Sequence, residues 1–152
     1  MQVSVTCADD IFKIPFQSKV IRACIKRVCA GESVKKGSVG IIFANYSKIK
    51  ELNKRFLNHH YSTDVITFEL QEPGDDLEGE IYVCYEVAET QAREVGVAFH
   101  EELLRLIVHG LLHLAGYDDK EDHQRERMRV KGEYYLQQLY DSGIIDVNET
   151  IS

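Results

Sequence analysis

The chain has 152 residues, 44% of them hydrophobic, enough for one domain with a real core. No apolar run reaches the ~18 residues of a membrane span. The N-terminus lacks the basic and apolar regions of a signal peptide, and the four cysteines form no Cys-x-x-Cys pair, so a cytoplasmic protein with reduced thiols is expected. The net charge of −7 conceals a split: residues 1–60 hold 11 Lys/Arg against 4 Asp/Glu, and residues 61–152 hold 7 against 21. A basic half on an acidic protein is one mark of a nucleic-acid-binding face.

In chain order, residues 2–6 read as a strand and 15–30 as a helix with Pro15 in its first turn, where proline is tolerated. Residues 38–44 contain the run Val39-Gly40-Ile41-Ile42-Phe43 and read as a second strand. Ser47 is placed to cap a helix through 57. The β-branched and aromatic stretch 64–70 predicts a third strand, 71–78 an acidic loop, and 79–85 a fourth strand paired with the third. Helices follow near 86–95, 101–114 and 121–140, then a polar tail over 141–152. Strands and helices mix without strict alternation, which predicts one α+β domain over 1–140 with a mixed, roughly four-stranded sheet.

The stretch from His109 to Asp119 carries the chemistry. Between 101 and 114 eight positions are large and apolar, as in a buried helix. At helical spacing Glu102, Arg105, His109 and His113 share an arc of about 80°, the polar stripe of that helix. Histidines four apart lie one turn apart on one face, so two imidazoles can converge on one metal ion. Gly116 can take the left-handed conformation that stops the helix and turns Asp118-Asp119 back toward them. Three ligands with a fourth position open describe a catalytic rather than a structural zinc site. His109, His113 and Asp119 are the expected ligands. His123 is a rival for the third place, and Asp119 would also serve as the cap of the last helix. A zincin protease has its glutamate base directly after the first histidine, where this chain has Gly110. Chemistry must then rely on water activated at the metal or on a base from elsewhere.

The motif His109-Gly110-Leu111-Leu112-His113-Leu114-Ala115-Gly116-Tyr117-Asp118 resembles that of the YbeY family of bacterial metal-dependent endoribonucleases, which act in ribosomal RNA maturation and ribosome quality control. Leu52-Asn53, Phe56 at a usual tyrosine position, Thr63-Asp64-Val65-Ile66-Thr67-Phe68 and Gly79-Glu80-Ile81 are also similar to the family. The resemblance implies a zincin-like metal helix and one divalent metal, zinc. It also implies cleavage of single-stranded RNA at the 3′ end of small-subunit ribosomal RNA, with that RNA and the small subunit as partners. Two departures bear on this. Asp119 stands where the family has a histidine, and the added negative charge should make water at the metal less acidic. Leu57 stands where the family places an arginine, leaving Lys54, Arg55, His59 and His60 as the candidate substrate contacts. Two other functions compete: a ribosome-assembly factor with a structural metal, and a peptide or small-molecule metallohydrolase, which Gly110 disfavours.

Overall fold

Alternation along the strands decides how the layers stack. The computed structural model describes residues 1–57 and 63–145. Among these, the elements run β1 (Gln2–Cys7), α1 (Ser18–Gly31), β2 (Gly37–Ala44), α2 (Tyr46–Leu57), β3 (Val65–Glu69), β4 (Leu77–Cys84), α3 (Tyr85–Val95), α4 (Phe99–Leu114) and α5 (Asp122–Asp141). The strands form one mixed sheet in the order β1-β2-β4-β3. β2 is parallel to β1 and to β4, and β3 returns antiparallel to β4. Parallel neighbours need a crossover connection, which α1 supplies between β1 and β2.

Val39, Ile41, Phe43, Ile81 and Val83 point to one side of the sheet and form the main core with α1, α4 and α5. The alternate residues Ala44, Ile66 and Cys84 meet Ile49 and Leu52 of α2 in a smaller cluster on the other side. Helix α4 is the centre of the main core: Leu103, Leu104, Ile107, Val108 and Leu112 are fully buried. Each such side chain stabilises by about 1.5–3 kcal/mol relative to exposure. Among the described residues, no helix is long and apolar enough to cross a membrane.

The structure moves several predicted boundaries. Pro15 lies before α1 rather than in its first turn. Ile14 and Phe16 pack against the main core on either side of it, and Gln17 is still extended, so the helix begins at Ser18. Asn45, not Ser47, caps α2: its side-chain oxygen accepts the Lys48 N–H at 2.8 Å. β4 begins at Leu77 because it pairs with Gly37 of β2, which shortens the predicted acidic loop. Beyond α5, Ile145 is 3% exposed and joins the core, so packed chain extends past residue 140.

Two glycines set the distance between α4 and the sheet. A Cβ on Gly110 would lie 2.7 Å from Ile81 Cγ2, and one on Gly79 would lie 2.8 Å from Leu114 Cδ1. The helix and β4 are thus fitted twice, a bare backbone against a branched side chain each time. Ile81 is fully buried and its Cγ2 sits next to the backbone, so it cannot swing away without moving β4. Gly110→Ala regains roughly 0.5–1 kcal/mol of helix propensity but overpacks this contact at a cost of about 1–3 kcal/mol. We expect a net loss of about 1–2 kcal/mol, read as a lower urea midpoint with an unchanged slope. A variant as stable as the wild type would show that the gap yields freely.

Candidate metal centre

The centre is built where α4 stops. Ala115 is the last residue near helical geometry, and Gly116 follows at φ +107°, in the left-handed region. The Gly116 N–H donates to His113 O at 3.0 Å, and the Tyr117 N–H reaches back to Leu112 O at 3.0 Å, the paired bonds of a Schellman stop. That turn brings the Tyr117 carbonyl 3.0 Å from His113 Nδ1. A carbonyl can only accept, so Nδ1 is the donor, and in the neutral ring Nε2 holds the lone pair that a metal takes. A metal-binding histidine needs this tautomer held in place.

The same turn delivers Asp119. Its Oδ2 lies 3.3 Å from His113 Nε2 and 3.8 Å from His109 Nε2, and ligand atoms of all three residues lie within 4.8 Å of one another. Arg125 pins the loop, with Nη1 donating to the carbonyls of Asp119 and Lys120 at 3.0 Å each. Among the described residues this is the only group of three His, Cys, Asp or Glu side chains that could hold a metal ion. Burial, and then the neighbouring His113, hold His109 below the ordinary histidine value against the pull of Asp64 and Asp119. A neutral imidazole is the form a metal binds. Two imidazoles and a carboxylate suit zinc and leave a position for water or substrate.

The other candidates for ligand or cap lie apart from this cluster. His123 is exposed and its Nδ1 faces Glu121 at 3.3 Å. The cap of α5 is Glu121, paired with Gln124 in a capping box, so Asp119 is not spent on that role. Burial, with Cys29 adding to it, pushes the Cys24 thiol up to about 12, so it stays protonated and a poor ligand.

The rest of the polar stripe on α4 holds the helices together. Arg105 donates from Nε to Glu133 of α5 at 2.8 Å and from its two Nη atoms to Glu102 at 3.4 Å and Glu101 at 3.3 Å. Tyr140 donates to Glu101 from the far end of α5. Lys54 and Arg55 lie exposed in the last turn of α2, and the Arg55 guanidinium lies 5.3 Å from the Phe56 ring centre. His59 and His60 lie outside the described residues.

The family model of endoribonuclease YbeY matches residues 5–140. The chain belongs to the endoribonuclease YbeY family. It is 40% identical over 120 residues to an endoribonuclease YbeY of Chlorobaculum parvum, covering 79% of this chain and 84% of that one. It is 41% identical over 112 residues to one of Thermotoga petrophila, covering 73% of each. A solution structure from Thermotoga maritima superposes with a TM-score of 0.64 at 30% identity, over 98% of this chain and 100% of the other.

One residue beside the centre escaped sequence reasoning about the site. Asp64 precedes β3 in the stretch resembling the YbeY family, and its charge acts on His109 and on Glu102. Thr63 and Gln91 each donate to it at 3.3 Å. A lone acid ahead of an apolar strand was the available signal. Only the packing of β3 against α4 makes it part of the site.

Burial raises the carboxyl of Glu102, and Arg105 only partly offsets this. A carboxyl raised on folding keeps its proton longer in the folded state. Its contribution is therefore fully present below the unfolded value and is lost as pH rises through the folded one. Glu102→Gln should flatten the fall in urea midpoint between the ordinary carboxylate range and neutrality, with Arg105 retaining Glu101 and Glu133. An unaltered pH dependence in this variant would locate the effect elsewhere.

Proposed function

We propose that this chain is a metal-dependent endoribonuclease that cuts single-stranded RNA, with His109, His113 and Asp119 holding one zinc ion. We further assign it to cytoplasmic maturation of the small-subunit ribosomal RNA 3′ end and ribosome quality control, with that RNA and the small subunit as partners. The observation that carries the reading is the convergence of two Nε2 atoms and one carboxylate oxygen beside a cavity bordered by His109 and Asp119. Family membership supports the choice of RNA.

Bound zinc would polarise a phosphoryl oxygen and increase the acidity of water. The chain's own residues do the positioning. His113 retains the proton on Nδ1 through the Tyr117 carbonyl, which fixes its ring. Asp119 brings a negative charge between the two rings, and Arg125 keeps its backbone from drifting. Gly110 brings no carboxylate to the site, so the general base of a zincin protease is missing, which argues against peptide hydrolysis. Lys54 and Arg55 supply exposed positive charge on the helix whose end lies just before the segment leading to Asp64. We assign them contacts to the RNA backbone.

Zinc-loaded protein should cut single-stranded RNA, and chelation should abolish the cut. Asp119→Ala and His113→Ala should lose metal by elemental analysis and lower cleavage by more than about 100-fold, beyond the usual effect of losing an outer-shell partner. His123→Ala should keep both. RNA bound but left intact by fully loaded protein would instead indicate an assembly factor with a structural metal.

The double variant Lys54→Gln/Arg55→Gln should bind RNA more weakly. Its slope of log affinity against log salt should fall by ~0.7 for each phosphate that is no longer neutralised. A folded double variant with the wild-type slope would remove these two residues from the RNA path.

A further inference from the structure

A cavity of about 260 Å³ lies between α4 and α5, with His109 and Asp119 on its wall. Its α5 side is formed by Arg125, Met128, Arg129, Gly132 and Glu133, at the spacing of one helix face, and Arg105 of α4, paired with Glu133, lines it as well. We propose that this cavity receives the nucleobase of a nucleotide flanking the cleaved bond. The inference rests on the endoribonuclease reading above.

Gly132 is the first reason. It sits in the interior of α5, where glycine weakens a helix relative to alanine. Its φ is not positive, so the backbone does not require glycine. A Cβ there would meet nothing within 4 Å, so close packing does not require it either. What the missing side chain does is leave the cavity wall flat. On that face any larger residue would project into the space beside the metal centre.

The arginines are the second reason, and they select a base over a phosphate. Arg129 gives Nε and Nη2 to Glu126 at 2.9 and 2.6 Å. Arg125 gives Nη1 to two carbonyls, and its Nη2 is paired with Asp122. With their edges held and their charges balanced, these guanidiniums are poorly placed for bidentate phosphate binding. In-plane pairing of this kind uses the edges of a guanidinium and not its planar faces, and such faces stack on aromatic rings. Met128 is 2% exposed and adds a polarisable thioether that makes favourable contacts with ring edges. The volume falls just below the about 300–1,000 Å³ of pockets for drug-sized ligands, which suits one heterocycle.

The test uses zinc-loaded protein and short single-stranded RNA oligonucleotides, either intact or with one abasic nucleotide walked across the cleavage position. Gly132→Ala and Gly132→Leu place good helix formers in α5, so their thermal midpoints should equal or exceed that of the wild type. Gly132→Leu should bind intact RNA about fivefold or more weakly, the lower end of what one stacked base contributes. Gly132→Ala should fall between it and the wild type. An abasic nucleotide at one position beside the cleaved bond should weaken wild-type binding by a similar factor and leave Gly132→Leu unaffected. Wild-type affinity and an unchanged abasic profile in both variants would overturn the base pocket while leaving the endoribonuclease reading intact. A wild-type protein that neither binds nor cuts any of these RNAs would overturn both.

Discussion

The close seating of α4 on β4 is the constraint from which the rest follows. Gly110 against Ile81 and Gly79 against Leu114 let the helix backbone approach the sheet more closely than two ordinary side chains would allow. The pairing runs in opposite directions along the two elements, so it fixes rotation and position along the axis as well as distance. Once the apolar residues of α4 are committed to that contact, its polar residues have only one direction left. His109 and His113 face the edge of the core, and Arg105 faces α5. Gly110 therefore has a packing reason for occupying the place where a protease would hold its base.

The helix stop and the candidate metal centre are the same structure at the end of α4. The turn at Gly116 satisfies the last carbonyls of the helix and presents the Tyr117 carbonyl to His113 Nδ1. It then returns Asp119 to within reach of both Nε2 atoms. A change that loosened the helix stop would disturb the ring of His113 and the position of Asp119 together. Arg125 extends the coupling to α5 by holding the Asp119 and Lys120 carbonyls, so the position of Asp119 depends on the docking of a helix that begins after it.

Charge is distributed by role. Arg105 is shared among Glu101, Glu102 and Glu133 and joins the two helices that flank the centre. Burying Glu102 beside it raises that carboxyl, a strain located at the contact between α4 and its neighbours. Arg125 and Arg129 are likewise satisfied within α5 and its preceding loop. The wall beside the candidate metal centre is therefore rich in guanidinium groups and yet nearly balanced in charge.

Local pattern determined a great deal of this protein. Spacing alone marked the buried helix, its two histidines, the stop at Gly116 and the returning aspartate, because each depends on a few neighbouring residues and on helix geometry. The apolar runs marked the four strands for the same reason. Boundaries set by distant partners were not legible. The start of β4 at Leu77 comes from its ladder with β2, and the late start of α1 from Ile14 and Phe16 reaching the core. Local pattern put the cap of α2 at Ser47, whereas the chain turns two residues earlier and Asn45 fills that place. Only tertiary structure set Asp119 against both histidines and left His123 beside Glu121, brought Asp64 to His109, and gave Gly132 a cavity to border. Those outcomes depend on how separate elements meet in space, and no stretch of sequence short enough to read as a motif contains both sides of such a contact.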